Sequence, residues 1–136
     1  MFFSNITSVM IMGVINLTPD SFYKQNTDIQ NKLLNYKLFN DADIIDIGCE
    51  SSRPGAEPLS EKNELYRLSS ILSKLKNIDQ MLSIDTYKPS VARFALDNGF
   101  NMINDIHAGG TDNKMIELAA EYDSPIVLMH MKGIPK

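Results

Sequence analysis

The sequence has few of the features that mark several large protein classes. It has one cysteine, Cys49, in 136 residues, which excludes an internal disulfide and the usual cysteine-based zinc sites. Its longest apolar run, near Val9–Ile15, is interrupted by Gly13 and is much shorter than the about 20 residues needed to cross a membrane. It has no basic cluster, and its formal net charge is −4, so nucleic acid is not an expected partner.

The amino-terminal residues MFFSNITS lack the basic, long-apolar and small-residue order of a secretory signal. We therefore expect a cytoplasmic protein that does not associate with membranes. Hydrophobic residues make up 43% of the chain and charged residues 22%, which is the composition of an ordinary globular protein rather than a disordered one. This length fits one domain, and we expect residues 1–136 to form a single one.

Short apolar runs alternate with longer amphipathic segments, which indicates alternating strands and helices. Five strands are predicted, at Val9–Ile15, Asp43–Gly48, Met81–Asp85, Asn101–Ile106 and Ile126–Met131. Four helices are predicted between them: one starting at Asp28, one at Ser60, one from Pro89 to Gly99, and one over Asp112–Tyr122. This order predicts a parallel sheet with right-handed crossovers. The strands are apolar almost throughout, which is typical of strands covered on both faces.

The same order fits either an open doubly wound sheet or part of a (β/α)8 barrel. A dinucleotide-binding sheet would have a glycine-rich turn after its first strand, whereas residues 16–20 contain no glycine. A complete barrel has roughly 200 residues or more. We therefore predict an α/β fold of the TIM-type (β/α)8 barrel, incomplete in this chain, with about five parallel strands and four helices.

Polar residues occur at the carboxyl end of every predicted strand: Asn16; Asp46 and Glu50; Asp85 and Thr86; Asn104 and Asp105; and His130. Ligands bind at this edge in both barrels and open parallel sheets. A single aspartate there is usually a helix cap, but polar ends on five successive strands favour a binding site. Amides and carboxylates suit a flat heterocycle with N–H and C=O groups on its edge. His107 directly follows the fourth strand and is expected to face a loop.

Two loops add hydroxyl groups, charge and fixed turns. The segment Thr18–Phe22 (TPDSF) combines a proline with an acid, a hydroxyl and an aromatic ring, and Ser51–Ala56 (SSRPGA) places two hydroxyls and Arg53 before a Pro-Gly turn. Hydroxyls, backbone N–H groups and an arginine suit a phosphate or pyrophosphate leaving group. An ordinary surface turn with a solvated arginine is the alternative for the same residues.

Five blocks of the sequence resemble the dihydropteroate synthase family, in that family's order and spacing. They are Met12–Phe22 (MGVINLTPDSF), Ile44–Ala56 (IIDIGCESSRPGA), Leu82–Ala92 (LSIDTYKPSVA), Ile103–Gly110 (INDIHAGG) and Val127–Lys136 (VLMHMKGIPK). The resemblance is to the N-terminal half of the family's chain. It implies a barrel enzyme of folate biosynthesis and a sulfonamide target. Such an enzyme condenses 6-hydroxymethyl-7,8-dihydropterin pyrophosphate with p-aminobenzoate, giving 7,8-dihydropteroate and pyrophosphate.

The resemblance implies roles for positions at the strand ends. Asn16 matches a residue near the Mg²⁺ that accompanies the pyrophosphate, so Mg²⁺ is the expected cofactor. Asp85 and Asn104 match the deep residues that hydrogen-bond the pterin ring. Met129 matches a residue that lines the pterin pocket.

The resemblance also implies roles for the two loops, which resemble those that close over the second substrate. Asp20 and Arg53 are the expected catalytic residues, and Asp20 would stabilise the positive charge that develops on the pterin methylene. Ser52 lies in the loop that meets the pyrophosphate and the p-aminobenzoate site. Three further substrate-binding residues are expected in these loops: Ser21, Phe22 and Pro54.

The chain departs from the family pattern at several points. Cys49 stands where the family usually has the second glycine of DIGG, and Ser52 stands where it usually has threonine. Tyr23–Asp28 is shorter and less glycine-rich than the resemblance leads one to expect. The family's chain is roughly twice as long, as a full barrel requires. The pterin-binding aspartate, the lysine and the Arg-x-His of its last three strands have no positions here. Nor do the late helices through which the family forms homodimers.

Two alternatives remain open from the sequence. A pterin-binding methyltransferase domain of the corrinoid-dependent type shares the pterin pocket, but it lacks the paired TPDSF and S-x-RPGA loops. A non-catalytic pterin-binding fragment agrees with the missing strands. Release of pyrophosphate in the presence of both substrates distinguishes the synthase from such a fragment. We expect no release from residues 1–136 alone.

Overall fold

A computed structural model describes residues 9–17, 41–50, 57–76, 78–110 and 112–130 of the chain. Five strands lie in this part: β1 (Met12–Asn16), β2 (Ile44–Gly48), β3 (Met81–Asp85), β4 (Met102–Asp105) and β5 (Ile126–Leu128). The helices of the same part are α1 (Glu61–Ser69), α2 (Leu72–Leu75), α3 (Pro89–Asp97) and α4 (Lys114–Glu121). All five predicted strands are confirmed within a few residues at their ends. The helix predicted to start at Asp28 lies outside the described residues.

The strands form one parallel sheet in the order β1-β2-β3-β4-β5. In a doubly wound sheet the strand order reverses at a switch point, whereas here each strand pairs with the next one along the chain, as in a barrel. The strand order therefore confirms the barrel type of α/β fold. Within the described residues β1 and β5 each have one strand neighbour, so the barrel is incomplete.

Two helices begin where the sequence predicts, and one of them also ends there. The Ser60 hydroxyl accepts the Asn63 N–H at 3.4 Å and caps the start of α1. Pro89 occupies the first turn of α3, and Gly99 follows that helix with a φ of +92°, a conformation that glycine adopts without steric cost. No helix in the described part of the chain is long and apolar enough to cross a membrane.

A break separates α1 from α2, within a segment where the three- and four-residue spacing of Leu65, Leu68, Leu72 and Leu75 predicts one continuous helix. The Ser70 hydroxyl donates to the Arg67 carbonyl at 2.7 Å, and the Ser69 hydroxyl donates to the Tyr66 carbonyl at 2.8 Å. Such hydroxyls compete with the helical backbone for its carbonyl groups. Two successive serines therefore provide a physical reason for α1 to end at this point.

The outer face of the sheet is apolar and packs against the helices. The strands and helices contribute to one buried cluster, which includes Ile15, Ile45, Ile47, Ile84, Ile103, Leu68, Leu75, Val91, Ala95, Met115 and Leu118. Successive residues of a strand point to opposite faces, so every second strand residue enters this cluster. Burial of this face fixes the register of the strands and leaves the inner face to the residues between.

The inner face changes from apolar to polar along the strands. Its three register rows are Met12, Ile44 and Met81; then Val14, Asp46, Ser83 and Met102; then Asn16, Gly48, Asp85, Asn104 and Val127. The carboxyl half of the inner face is therefore polar, in agreement with the predicted polar strand ends, although the strands are otherwise mostly apolar. The physical reason is that this half lies at the carboxyl ends of the strands, where polar groups are available to a ligand.

Candidate functional site

The carboxyl-terminal row of the inner face brings three of the predicted site residues together. Asn16, Gly48, Asp85 and Asn104 lie side by side on four strands. Gly48 has no side chain, and a Cβ atom there would lie 3.0 Å from Asn16 Oδ1 and 3.1 Å from Asp85 Oδ2. The two oxygens therefore converge over a space that only glycine leaves open.

A hydrogen bond links this row to the middle row. The Asn104 side-chain Nδ2 donates to Asp46 Oδ2 at 2.9 Å. Because an ionised carboxylate only accepts, this contact fixes which end of the amide is the donor. Asp46 therefore sets the orientation of the Asn104 amide, whose oxygen and second N–H have no hydrogen-bond partner within the described residues.

Two buried polar atoms in the middle row have no hydrogen-bond partner within the described residues. They are Asp46 Oδ1 and Ser83 Oγ. Buried polar atoms nearly always have a partner, in the protein or in ordered water. Ser83 is not among the site residues that the sequence predicts, and Asp46 is predicted only as a strand-end residue. The signal that reveals them is the two-residue period, because positions 46 and 83 share a face with positions 48 and 85.

The Asp85 carboxyl group lies in an acidic environment. The pKa of Asp85 is raised from 3.8 to about 6, mainly by burial of the carboxyl group and then by the nearby carboxylates of Asp46, Glu64, Glu50 and Asp105, in that order. At neutral pH the group is mostly ionised, but its charge is poorly compensated. An incoming N–H donor or cation is therefore strongly favoured at this position.

The β5 side of the row is apolar. Val127 lies in register with Asn104, and both Val127 and Met129 are exposed. Met129 follows β5, and its backbone N–H donates to the Asp105 carbonyl at 3.0 Å. Pairing with β4 therefore continues to Met129, at the edge of the candidate site.

Asp105 and His107 belong to the loop after β4 rather than to this row. The Asp105 carboxylate accepts the backbone N–H groups of His107 at 2.8 Å and of Gly109 at 2.7 Å. The His107 ring stacks on the Tyr87 ring with a 4.1 Å separation of centroids. Asp105 thus organises a turn, as an aspartate after a strand commonly does, and His107 faces a loop as expected.

The remaining predicted site residues belong to the two loops and lie outside the described residues. They are Asp20, Ser21, Phe22, Ser52, Arg53 and Pro54. The described residues next to these loops are Leu17 and Glu50, which precede them, and Glu57, which follows the second.

The donor set at the end of β1 is compatible with Mg²⁺. Asn16 offers an amide oxygen next to the Asp85 carboxylate, and oxygen is the ligand atom that Mg²⁺ prefers. No group of three or more His, Cys, Asp or Glu residues in the described part could hold a metal ion. Mg²⁺ usually binds through one or two protein oxygens together with water and substrate phosphates, and Asn16 fits that mode.

A protein-family model matches nearly the whole chain. The family described as "Pterin binding enzyme" matches residues 12–136. Among curated relatives, dihydropteroate synthase of Streptococcus pyogenes is 45% identical over 125 residues, which cover 88% of this chain and 47% of that enzyme. The folic acid synthesis protein fol1 of Schizosaccharomyces pombe is 41% identical over 96% of this chain and 19% of its own length.

Solved structures give the same match. Dihydropteroate synthase of Clostridium difficile, crystallised in the presence of pteroic acid, has a TM-score of 0.82 and 38% identity over 93% of this chain and 50% of that one. The Xanthomonas albilineans enzyme with 4-aminobenzoic acid has a TM-score of 0.80 and 36% identity over 93% of this chain and 48% of that one. This chain thus spans half or less of the length of these relatives. Because the family match extends over nearly the whole sequence, the chain belongs to the pterin-binding enzyme family.

Proposed function

We propose that the protein carrying this chain is a dihydropteroate synthase. It joins the methylene carbon of 6-hydroxymethyl-7,8-dihydropterin pyrophosphate to the amine of p-aminobenzoate. The observation that carries the proposal is the row of Asn16, Asp85 and Asn104 converging around Gly48 at the carboxyl edge of the sheet. Three of the relatives named above are dihydropteroate synthases, and two of these were crystallised with pteroic acid or with 4-aminobenzoic acid present.

The polar row suits one edge of a pterin ring. A pterin carries N–H donors and a carbonyl acceptor side by side, and Asp85 with Asn104 offers matching acceptors and donors. The Asp85 carboxylate is already disfavoured by burial and by neighbouring acids, so N–H donors from the ring would relieve that penalty. Asp46 keeps the Asn104 amide in a single orientation, which makes the pairing selective.

The acidic surroundings also suit the chemical step. The methylene C–O bond breaks, its electron pair leaves with pyrophosphate, and positive charge develops on the pterin methylene. Fixed carboxylates such as Asp85 and Asp46 stabilise that charge more than they stabilise the neutral ground state. The amine nitrogen then forms the new C–N bond and loses a proton to the solvent. By resemblance, Asp20 adds a further negative charge near the methylene.

Asn16 would hold Mg²⁺ in this proposal. The ion, when bound, neutralises negative charge on the leaving pyrophosphate. Asn16 supplies a neutral amide oxygen at the end of β1, so it adds no negative charge to an already acidic edge. A cytoplasmic location and a homodimer are predictions from the sequence that accompany this proposal.

Steady-state kinetics on the protein that carries this chain tests the proposal. We expect pyrophosphate and 7,8-dihydropteroate to form in equal amounts from the two substrates. Asp85→Ala should raise KM for the pterin substrate roughly tenfold or more, because a hydrogen bond to a charged group contributes about 1.5–3 kcal/mol. Glu117→Ala removes a carboxylate from the exposed side of α4 and should leave KM unchanged. No product from these substrates, or an unchanged KM in Asp85→Ala, would overturn the proposal.

A second variant tests the loop assignment. Arg53→Ala should chiefly raise KM for p-aminobenzoate and lower turnover, with a smaller effect on the pterin substrate. Equal losses for both substrates would contradict the role that the resemblance gives to Arg53.

A further inference from the structure

Four charged residues near the ends of β1 and β2 form a connected set that the proposed pterin contacts do not include. We call Glu50, Glu64, Arg67 and Lys88 the loop-root cluster. It contains two positive and two negative side chains, and each of the four makes at least one hydrogen bond within the described structure. The cluster is therefore balanced in charge; Lys88 bonds both glutamates, and Arg67 bonds the backbone at the two strand ends.

Glu64 is the buried centre of the cluster. Its side chain is 1% exposed, and burying an ionised carboxylate is unfavourable unless it is paired and hydrogen-bonded. The Lys88 ammonium lies 2.6 Å from Glu64 Oε2, and the Thr86 hydroxyl donates to Glu64 Oε1 at 2.7 Å. Both carboxylate oxygens thus have partners, and Glu64 fixes the position of Lys88.

Lys88 in turn fixes Glu50, at the end of β2. Its ammonium lies 2.5 Å from Glu50 Oε2. Burial alone would lower the pKa of Lys88, but its hydrogen bonds to Glu50 and Glu64 raise it above the ordinary value. The Leu59 backbone N–H donates to the same Glu50 oxygen at 3.1 Å. One carboxylate therefore holds both the point where the chain leaves β2 and the point to which it returns nine residues later.

Arg67 connects the ends of β1 and β2. It lies three residues after Glu64 in α1, and residues at that spacing share one side of a helix. Its Nη1 donates to the Cys49 carbonyl at 2.8 Å and to the Leu17 carbonyl at 3.3 Å. Both strand ends are thus attached to the same helix.

We propose that the loop-root cluster positions the two loops that carry Asp20 and Arg53, with Arg67 and Lys88 as its positioning residues. This inference rests on the proposed function for its meaning in catalysis. Asp20 follows Leu17 by three residues, and Arg53 follows Glu50 by three. A segment of three residues spans at most about 11 Å, so a displaced root moves the reacting groups with it. Misplacement of about 1 Å can lower a rate on the order of 100-fold.

Alkylation of Cys49 by iodoacetamide measures whether the cluster holds the root of the second loop. The Cys49 side chain is fully buried, and burial raises the pKa of its thiol to about 12. Only the thiolate reacts, so the rate of labelling, followed by peptide mass spectrometry, reports how often this root opens. The test variant combines Lys88→Met with Glu64→Gln, which removes the bridging charge without leaving a bare buried carboxylate. The amide introduced by Glu64→Gln keeps an oxygen that can accept the Thr86 hydroxyl.

We expect Cys49 labelling in this double variant to be at least tenfold faster than in the unmodified protein. Urea denaturation measures how much the double variant shifts the global unfolding equilibrium. The increase in labelling rate should be larger than this shift alone would cause. Arg93→Met is the matched control, because it breaks an exposed ion pair with Glu121 away from the loops, and its labelling rate should not change. Labelling that is unchanged, or that only follows global unfolding, would overturn the inference.

Kinetics provide the second readout. In the double variant KM for p-aminobenzoate should rise several-fold and kcat should fall, while KM for the pterin substrate stays within twofold of the unmodified protein. Equal increases in both KM values would show a general structural role and would overturn the positioning role. The labelling result does not depend on any catalysis, so failure of the proposed function and failure of this inference are distinguishable.

Discussion

At the residue scale, the pKa of Asp85 predicts how stability depends on pH. The folded-state pKa is about 6 against an ordinary 3.8, so between these values the folded protein binds more protons than the unfolded chain. The free energy of unfolding therefore falls as pH rises from about 4 to about 6, and the loss is complete above that window. Asp85→Asn removes this titration, so the variant should have a higher free energy of unfolding than the unmodified protein at pH 7.

The Asp85 titration changes the free energy of unfolding by an amount on the order of 1 kcal/mol, because solvent screens a carboxyl group that is only partly buried. Urea denaturation at pH 4, 5, 6 and 7 measures it. The difference in unfolding free energy between Asp85→Asn and the unmodified protein should widen with pH across this series. Glu117→Gln, which removes a carboxylate from the exposed side of α4, is the control variant measured in the same series. Parallel curves for Asp85→Asn would show that the carboxyl group is not perturbed by folding.

Gly48 is the second determinant of the site at this scale. A Cβ atom at position 48 would approach Asn16 Oδ1 to 3.0 Å and Asp85 Oδ2 to 3.1 Å, so Gly48→Ala should push both oxygens away by a few tenths of an ångström. We expect pterin binding, measured by calorimetric titration, to weaken roughly tenfold, as the loss of one charged hydrogen bond would produce. Urea denaturation should show a near-normal midpoint, because the displaced atoms are the ends of side chains. Unchanged pterin affinity would contradict contact between these oxygens and the ligand.

At the element scale, local signals predicted most of the fold. Ser60 and Pro89 mark helix starts, Gly99 marks a helix end, and each of the three occupies that position in the structure. These signals work because caps and fixed φ angles depend on a few neighbouring residues. The division of the leucine-rich segment into α1 and α2 was not predicted, because it depends on serine hydroxyls that bond the helical carbonyls.

The polar interior of the sheet could be predicted only in part. Asn16, Asp85 and Asn104 were singled out because they end strands, and parallel register brings strand ends to one level. Asp46 and Ser83 lie one row deeper. In the sequence each is a single polar residue within a mostly apolar strand, which does not by itself indicate a binding site. The buried Glu64 is a similar case, because its partners Thr86 and Lys88 are more than twenty residues away in the sequence. Contacts of that range depend on the tertiary fold.

At the scale of the whole molecule, the open sheet leads to a prediction about the isolated polypeptide. Residues 1–136 alone should not release pyrophosphate when both substrates are present. Val14 on β1 and Val127 on β5 lie on the inner face and are 54% and 42% exposed, so water reaches the face that would hold the pterin ring. Electrostatic stabilisation of a developing charge weakens sharply when water has access. The resemblance also leads us to expect a lysine and an Arg-x-His group from later strands at this face. A coupled pyrophosphate assay measures the result, with Asn16→Ala as the background control. Release that increases in proportion to the concentration of the purified polypeptide, and that Asn16→Ala abolishes, would show that this half of the barrel wall suffices for the reaction.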